Sequence, residues 1–463
     1  MTMSTEAPTA SKRAAGVLAL LTAAQVLIAI DFSIVFVALP SIGAELGMSK
    51  GALQWVVSGY AVFFAGFLIV GGRATDRLGP RNMFIAALLL FGVASLLGGR
   101  AEQVGTLLVA RAGQGIAAAL MQPAIMALIN TTFPAGKARN RALSIWGAVG
   151  ATGLASGVLL GGVLTEISWR WIFLINIPMA LLGVLAAPRL LPAHAAAARR
   201  RLPLNVPSAV LCTAAVLALV LGLTWAAELG WTATLTLAVL GGAGALALGF
   251  AGWERRSEHP LVDPVLRRTR SLVFGCGASA LYMASVAASE FFLITLLLQQ
   301  GRGYQPLAAG FAFLPFALTI SAGNVLAGKL ANSLGVRRTL ILAFTVDAVG
   351  LLLLAAQIGG DNYFIHLLPG LLVSGIGHGM TFSTMFMAGT QHIADSNQGV
   401  GSALMTTTQY IGGALGVAVL VLVLGADPGD GRFGVAFGLT AAVAAVGAAL
   451  AFFGFRARAD QPV

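Results

Sequence analysis

The sequence predicts an all-α polytopic membrane protein built from two related six-helix halves and two inserted helices. The first observation is composition, because 58% of the 463 residues are hydrophobic and only 10% are charged. A soluble core cannot bury that much apolar surface. The second is a series of apolar windows of about 20 residues, each long enough to cross a bilayer. The third is a polar loop that occurs twice, 256 residues apart.

Fourteen apolar windows are predicted to span the membrane as helices. They lie at residues 16-39, 52-72, 82-99, 104-132, 140-165, 169-187, 206-226, 232-253, 272-299, 306-328, 338-357, 364-389, 398-424 and 433-455. We therefore expect an N-terminal six-helix bundle at 1-187, a linker with two extra transmembrane helices at 188-271, and a C-terminal six-helix bundle at 272-463. Repeated halves of this kind are common among secondary transporters.

Lysine and arginine are distributed unequally between the loops. Of the 28 lysines and arginines, 22 fall on the side that holds the N-terminus and 5 on the other, with Arg111 alone inside a window. Because cytoplasmic loops carry the positive excess, both termini are predicted to be cytoplasmic. The net charge of +11 thus reflects topology and the proximity of anionic lipids, and we expect no nucleic-acid partner. Cys212 and Cys276 lie in apolar windows and indicate no disulfide.

The repeated loop begins at Gly72 and again at Gly328. The first copy reads Gly-Arg-Ala-Thr-Asp-Arg-Leu-Gly-Pro-Arg and the second Gly-Lys-Leu-Ala-Asn-Ser-Leu-Gly-Val-Arg. The first copy ends in the turn former Gly79-Pro80. This segment is a candidate gate, whose residues are Gly72, Asp76, Arg77, Gly79 and Arg81.

Charges inside a bilayer are costly, so each one is a candidate for function. The four in this sequence are Asp31, Arg111, Glu290 and Asp347. Asp31 lies ~13 Å and Arg111 ~12 Å from the outer ends of their helices at 1.5 Å per residue. Their matching depths predict a pair that forms when the acid is ionised and separates when it is protonated, which would make Asp31 a proton-sensing switch. The alternatives are a fixed structural pair and an Arg111 side chain that extends outward to the interface.

The second half carries further candidates for proton binding. Glu290 lies three residues from position 287, the repeat equivalent of Asp31, and it could carry a proton or attract a cationic substrate. Asp347 is either a second proton site or a structural polar contact. His378 is a further possible polar or proton site.

Small residues are frequent in the fourth and fifth windows. The fourth contains Arg111-Ala-Gly-Gln-Gly115. The fifth contains a Gly-x-x-x-Gly face whose residues are Gly153, Gly157 and Gly161, followed by Gly162. Such a face permits close helix packing, and it could equally act as a hinge during transport.

Polar, aromatic and methionine side chains in the central windows are candidates for a substrate cavity. They are Gln54, Tyr60, Met121, Asn324, Phe382 and Gln409. Phenylalanine and methionine dominate their surroundings, which favours lipophilic cargo. The five histidines form no metal-ligand pattern, and Leu330 stands where a phosphate-binding loop from Gly323 would need Ser or Thr. We therefore expect neither an enzyme nor an ATP-driven pump, and no metal or cofactor.

These motifs together resemble the major facilitator superfamily, in particular its fourteen-helix branch of drug/proton antiporters. The segment from Gly72 to Asn82 is similar to the family's loop between helices 2 and 3, which implies that Asp76 and its arginines close the cytoplasmic side. The segments from Asp31 to Pro40, from Leu107 to Gly115 and from Trp169 to Pro178 also match. The resemblance implies that Arg111 takes part in proton coupling. One departure is Val158, which follows Gly157 where the family has proline.

The resemblance implies a proton-coupled exporter of lipophilic drugs or antibiotics that works by alternating access, with cationic drugs among the candidate cargo. The proton gradient would be its energy source. Its partners would be protons, membrane lipids and small-molecule substrates. We expect a monomer in a bacterial inner membrane. The alternative is a proton-coupled importer of a small nutrient, because the same fold serves both directions.

Overall fold

The computed structural model describes residues 7–48, 50–192, 205–304, 306–360, 362–425 and 429–455. Within these ranges, the side chains of residues 7–12, 50, 51, 54, 154, 155, 158, 286–290, 300, 306, 307 and 430 are not described. The described chain is almost entirely helical. It divides into two compact units, the first comprising Met1–Pro203 with Asp395–Ala403 and the second comprising Leu204–Ala394 with Leu404–Val463.

The first unit contains seven helices in its described part. They are α1 (Ala7–Leu46), α2 (Lys50–Leu78), α3 (Pro80–Gly99), α4 (Val104–Thr132), α5 (Lys137–Ile167), α6 (Trp171–Leu174) and α7 (Asn176–Leu190). Helices α2 and α4 are packed with their backbones in close approach at two levels. A Cβ atom at Gly115 of α4 would lie 2.5 Å from Tyr60 O of α2, and one at Gly71 of α2 would lie 2.4 Å from Ala119 O of α4. Only glycine permits these approaches.

The second unit contains the remaining helices. They are α8 (Val206–Leu229), α9 (Thr234–Arg256), α10 (Pro264–Arg268), α11 (Arg270–Tyr282), α12 (Ala288–Leu296), α13 (Pro306–Leu334), α14 (Val336–Gln357), α15 (Leu368–Thr390), α16 (Gln398–Leu424) and α17 (Asp430–Gly454). The first turn of α16 belongs to the first unit. Glu254, at the end of α9, is buried and accepts hydrogen bonds from Ser208 Oγ at 2.7 Å, Leu261 N at 2.7 Å and Val262 N at 3.1 Å, which orders the loop after α9.

Twelve helices among the described residues are long and apolar enough to cross a membrane. Two predicted windows are not among these twelve. Window 140-165 lies in α5, where three side chains are not described. Window 272-299 is divided by π-helical turns at Met283–Ala287 and Leu297–Gly301, which leaves α11 and α12 with 13 and 9 residues. The predicted count of fourteen spanning helices is therefore not confirmed.

The polar segment predicted as a loop from Gly72 to Asn82 is largely helical. Helix α2 continues to Leu78 and α3 begins at Pro80, so that Gly79 alone forms the turn. Its φ of 92° is in the left-handed region that favours glycine. The equivalent residue of the second copy, Gly335, has φ 85° and separates α13 from α14 in the same way. The two turns therefore repeat in geometry as well as in sequence.

Candidate functional site

A buried ion pair joins α1 to α4 inside the first unit. Arg111 Nη1 lies 2.8 Å from Asp31 Oδ2, and the two side chains are 1% and 0% exposed. The equal depths of these residues in their windows predicted this contact. Arg111 does not extend outward to an interface, so that alternative is wrong.

Arg111 is also attached to α2. Its Nε donates to Val56 O at 2.8 Å, and its guanidinium carbon lies 4.5 Å from the centre of the Tyr60 ring. Cation–π contacts of this kind contribute more when both groups are desolvated. The guanidinium thus bridges α1, α2 and α4, and its bond to Asp31 is the contact that reaches α1.

Two amide side chains complete the surroundings of Asp31, and sequence reasoning assigned neither a role. Gln114 Nε2 donates to Asp31 Oδ1 at 2.6 Å, and Asn176 Nδ2 donates to the same oxygen at 2.7 Å. Ser95 Oγ accepts from Gln114 at 2.9 Å and from Asn176 at 3.4 Å. Both amides stand in segments that carry the family resemblance, and polar side chains in apolar windows are a signal that could have found them. The Asp31 carboxylate therefore accepts hydrogen bonds from two helices, α4 and α7.

Asn176 is the first residue of α7, directly after the short helix α6 that ends at Leu174. The backbone between the two helices stays in the right-handed helical region, with φ −60° and ψ −25° at Ile175. The bond from Asn176 Nδ2 to Asp31 Oδ1 joins α7 to α1. A change in the charge of Asp31 would therefore act directly on α4 and α7, and on α3 through Ser95, which accepts from both amides.

An apolar cluster separates the ion pair from the far end of α1. Its buried members are Ile30, Ile34, Val35, Ala38, Ile42, Val56, Ala101, Leu107, Trp169, Ile172 and Phe173. Beyond it, Glu45 accepts a hydrogen bond from Trp169 Nε1 at 2.7 Å and pairs with Arg170. The arrangement keeps water away from Asp31 on that side, and a low local dielectric strengthens the ion pair.

The glycine face of α5 packs on α1 beside Asp31. A Cβ atom at Gly157 would lie 2.0 Å from Ser33 Oγ and 3.0 Å from Ile30 O, while one at Gly161 would lie 2.8 Å from Ile34 O. Gly153 makes a similar approach to Ala29, whereas Gly162 has no atom within 4 Å of its Cβ position. Three of the four predicted glycines therefore form a packing face, and a hinge role stays a prediction.

The candidate gate contacts the first turn of α16 through Asp76. Its Oδ1 accepts from Gly399 N at 2.8 Å and its Oδ2 from Val400 N at 2.9 Å. The amides of a first turn have no acceptor within their own helix, and the helix dipole stabilises a carboxylate there. A Cβ atom at Gly72 would lie 2.5 Å from Gly399 O. Arg81 Nη2 donates to Pro188 O at 3.3 Å, and Arg77 is half-buried at the end of α2.

The second unit places His378 within a group of aromatic rings. Its Nε2 lies 2.7 Å from Tyr282 Oη, and the Phe291 and Phe316 ring centres lie 6.1 and 5.8 Å from the His378 ring. Asp347 is fully buried on the neighbouring helix α14. The Glu290 side chain lies outside the described residues.

The cavity candidates divide between the two units. Tyr60 contacts Arg111 and Met121 is fully buried, both in the first unit. In the second unit, Asn324 accepts from Ser383 Oγ, Phe382 packs against Tyr282 with ring centres 5.9 Å apart, and Gln409 is buried. Gln54 lies outside the described side chains.

The fold and the buried ion pair define a helical multi-pass membrane protein of the transporter class. Residues 21–417 match the family model described as the Major Facilitator Superfamily. The chain belongs to this superfamily, as its motifs predicted.

Relatives and solved structures agree with this assignment. The chain is 38% identical to the puromycin resistance protein pur8 of Streptomyces alboniger, over 87% of this chain and 80% of that protein. It is 36% identical to the cephamycin export protein CmcT of Amycolatopsis lactamdurans, over 88% of this chain and 84% of that protein. The crystal structure of the human organic anion transporter MFSD10 has a TM-score of 0.69 at 15% identity, over 95% of this chain and 99% of that one. At that identity the structural likeness shows the fold alone.

Proposed function

We propose that this protein exports lipophilic antibiotics or related drugs across a bacterial cell membrane in exchange for protons, with both termini in the cytoplasm. The buried pair of Asp31 and Arg111 carries the proposal, because it is an ionisable switch between helices of a membrane-spanning unit. The similarity to a puromycin resistance protein and a cephamycin export protein supports the direction and the kind of cargo. The distribution of lysine and arginine between the loops supports the orientation.

Proton binding acts by releasing α1 from the pair of α2 and α4. When Asp31 becomes neutral, its attraction to Arg111 is lost, while Arg111 remains bonded to Val56 O and stacked on Tyr60. Helix α5 moves together with α1, because the two helices are in close contact at Gly157 and Gly161. Each proton that enters supplies about 2.3 kcal/mol per 100 mV of membrane potential and about 1.4 kcal/mol per unit of pH difference.

The contact of Asp76 with Gly399 and Val400, which we name the latch, holds the first turn of α16 in one state of the cycle. Export requires this contact to break and form again in each turnover. The latch therefore controls turnover and does not touch the cargo. Glu290, placed by sequence near the repeat equivalent of Asp31, attracts cationic cargo.

Transport into liposomes tests the proposal. The protein is reconstituted in vesicles that enclose a pH-sensitive dye, and puromycin or a neutral lipophilic antibiotic is added without a pH gradient. We expect protons to move opposite to the drug in the wild type and no such movement in Asp31→Asn. Glu258→Gln is the control and should behave as the wild type, because Glu258 is an exposed acid in the second unit. Proton movement in the same direction as the drug would make the protein a symporter and overturn export by exchange.

A further inference from the structure

A second contact holds the first turn of α16, and it uses no charge. Asn130 Nδ2 of α4 donates to Gln398 Oε1 at 2.9 Å, 268 residues apart in the chain. Both side chains are 0% exposed. Gln398 is the first residue of α16, directly before the two amides that bind Asp76. Two different helices of the first unit therefore hold the same turn.

The two helices that provide these contacts are locked to each other. Helices α2 and α4 approach backbone to backbone at Gly71 and again at Gly115. Arg111 joins them a third time through Val56 O. On α4, Asn130 lies 19 residues after Arg111, which is ~28 Å at the rise of an α-helix. One rigid pair of helices thus carries the proton site at one level and both contacts to α16 at another.

The Asn130 side chain is not explained by stability alone. Its Oδ1 is buried and accepts no hydrogen bond among the described residues. A buried polar atom without a partner is costly, so an apolar side chain would pack at this position at less expense. The bond to Gln398 offsets part of this cost and gives the amide a role that an apolar side chain could not fill.

We infer that Asn130 is a positioning residue that forms, with Gln398, a second and uncharged part of the latch. The inference rests on the proposed role of Asp76 in the latch. The amide pair keeps its strength when a proton or salt weakens the Asp76 contact, since neither amide titrates. It prevents the first turn of α16 from leaving α2 and α4 until these two helices themselves move. Asn130 thereby ties the release of α16 to the helices that hold Arg111.

Hydrogen–deuterium exchange of the intact protein in detergent tests the inference directly. The Gly399 and Val400 amides exchange with solvent when the first turn of α16 leaves α2 and α4. Asn130→Ala should raise exchange in peptide 395–403 by about fivefold, the factor expected for one hydrogen bond of typical net strength. Asp76→Asn should raise it by about tenfold, since a charged partner is lost. The double variant should show about the product of the two factors if the contacts are independent. Transport by Asn130→Ala, as by Asp76→Asn, should show a lower turnover number with an unchanged KM.

Two further variants separate positioning from general damage to α4. Thr131→Ala removes a hydroxyl that bonds to its own helix at Ala127 O, 2.7 Å away, and should leave exchange unchanged. Swapping the two side-chain lengths, as Asn130→Gln with Gln398→Asn, keeps an amide pair across the same gap and should return exchange to within about twofold of the wild type.

The outcomes distinguish this inference from the proposed function. If Asp76→Asn raises exchange and Asn130→Ala does not, the second contact is wrong and the latch stands. If neither variant raises exchange, the latch itself is wrong. An effect of Thr131→Ala as large as that of Asn130→Ala, or a failure of the length swap to restore protection, would also overturn the role of the amide pair.

Discussion

Replacing Arg111 by methionine tests whether Asp31 depends on a buried counter-charge. The substitution keeps an unbranched side chain in α4 and leaves the Asp31 carboxylate with the Gln114 and Asn176 amides alone. Breaking a buried pair by removing one partner costs about 3–5 kcal/mol. We expect a loss near the lower end, about 3 kcal/mol, because two amide donors remain and each contributes about 1.5 kcal/mol to a charged acceptor.

Adding Asp31→Asn to Arg111→Met should recover most of that loss. The double variant contains no buried charge at this site, and the asparagine side chain introduced in α1 can still pair with an amide oxygen. We expect recovery of about 2 kcal/mol in the free energy of unfolding. The two single variants and the double variant should all fail to couple transport to protons.

Unfolding in mixed micelles with increasing mole fraction of dodecyl sulfate, followed by circular dichroism, measures these free energies. Asp31→Asn alone provides the fourth corner of the double-mutant cycle. If Arg111→Met unfolds at the wild-type fraction of dodecyl sulfate, or if the double variant is less stable than Arg111→Met, the pair does not carry the buried-charge coupling argued here. Coupled transport in any of the variants would remove the proton switch.

Four further substitutions address three other parts of the protein. Gly157→Val should separate α1 from α5 and lower the free energy of unfolding by about 1–3 kcal/mol, because the new side chain overpacks against Ser33. Gly162→Val is the control and should leave that free energy unchanged, because its Cβ position is open. The same micelle assay compares the two variants. Asp76→Asn should lower the turnover number about tenfold with an unchanged KM, and liposome kinetics with an unchanged rate would contradict the latch. Glu290→Gln should weaken transport of a cationic drug more than that of a neutral one, and equal effects on both would exclude steering by charge.

The sequence by itself determined the class of protein and the level of its buried ion pair. Hydropathy locates the windows because a helix must satisfy its backbone within the bilayer and needs about 20 residues to cross it. Counting along two such windows places Asp31 and Arg111 at equal depth because the helical rise is constant. Local chemistry also identified the turn at Gly79, since only glycine readily adopts its positive φ.

Only the tertiary structure decided which side chains meet. Gln114 and Asn176 reach Asp31 because α4 and α7 pack against α1 at this level, and hydropathy does not specify that packing. The π-helical turns that divide window 272-299 also have no signal in an apolar pattern. The contacts of Asp76 and Asn130 with the first turn of α16 join residues more than 260 positions apart. Such contacts depend on how whole helices pack, which composition and periodicity along one segment do not specify.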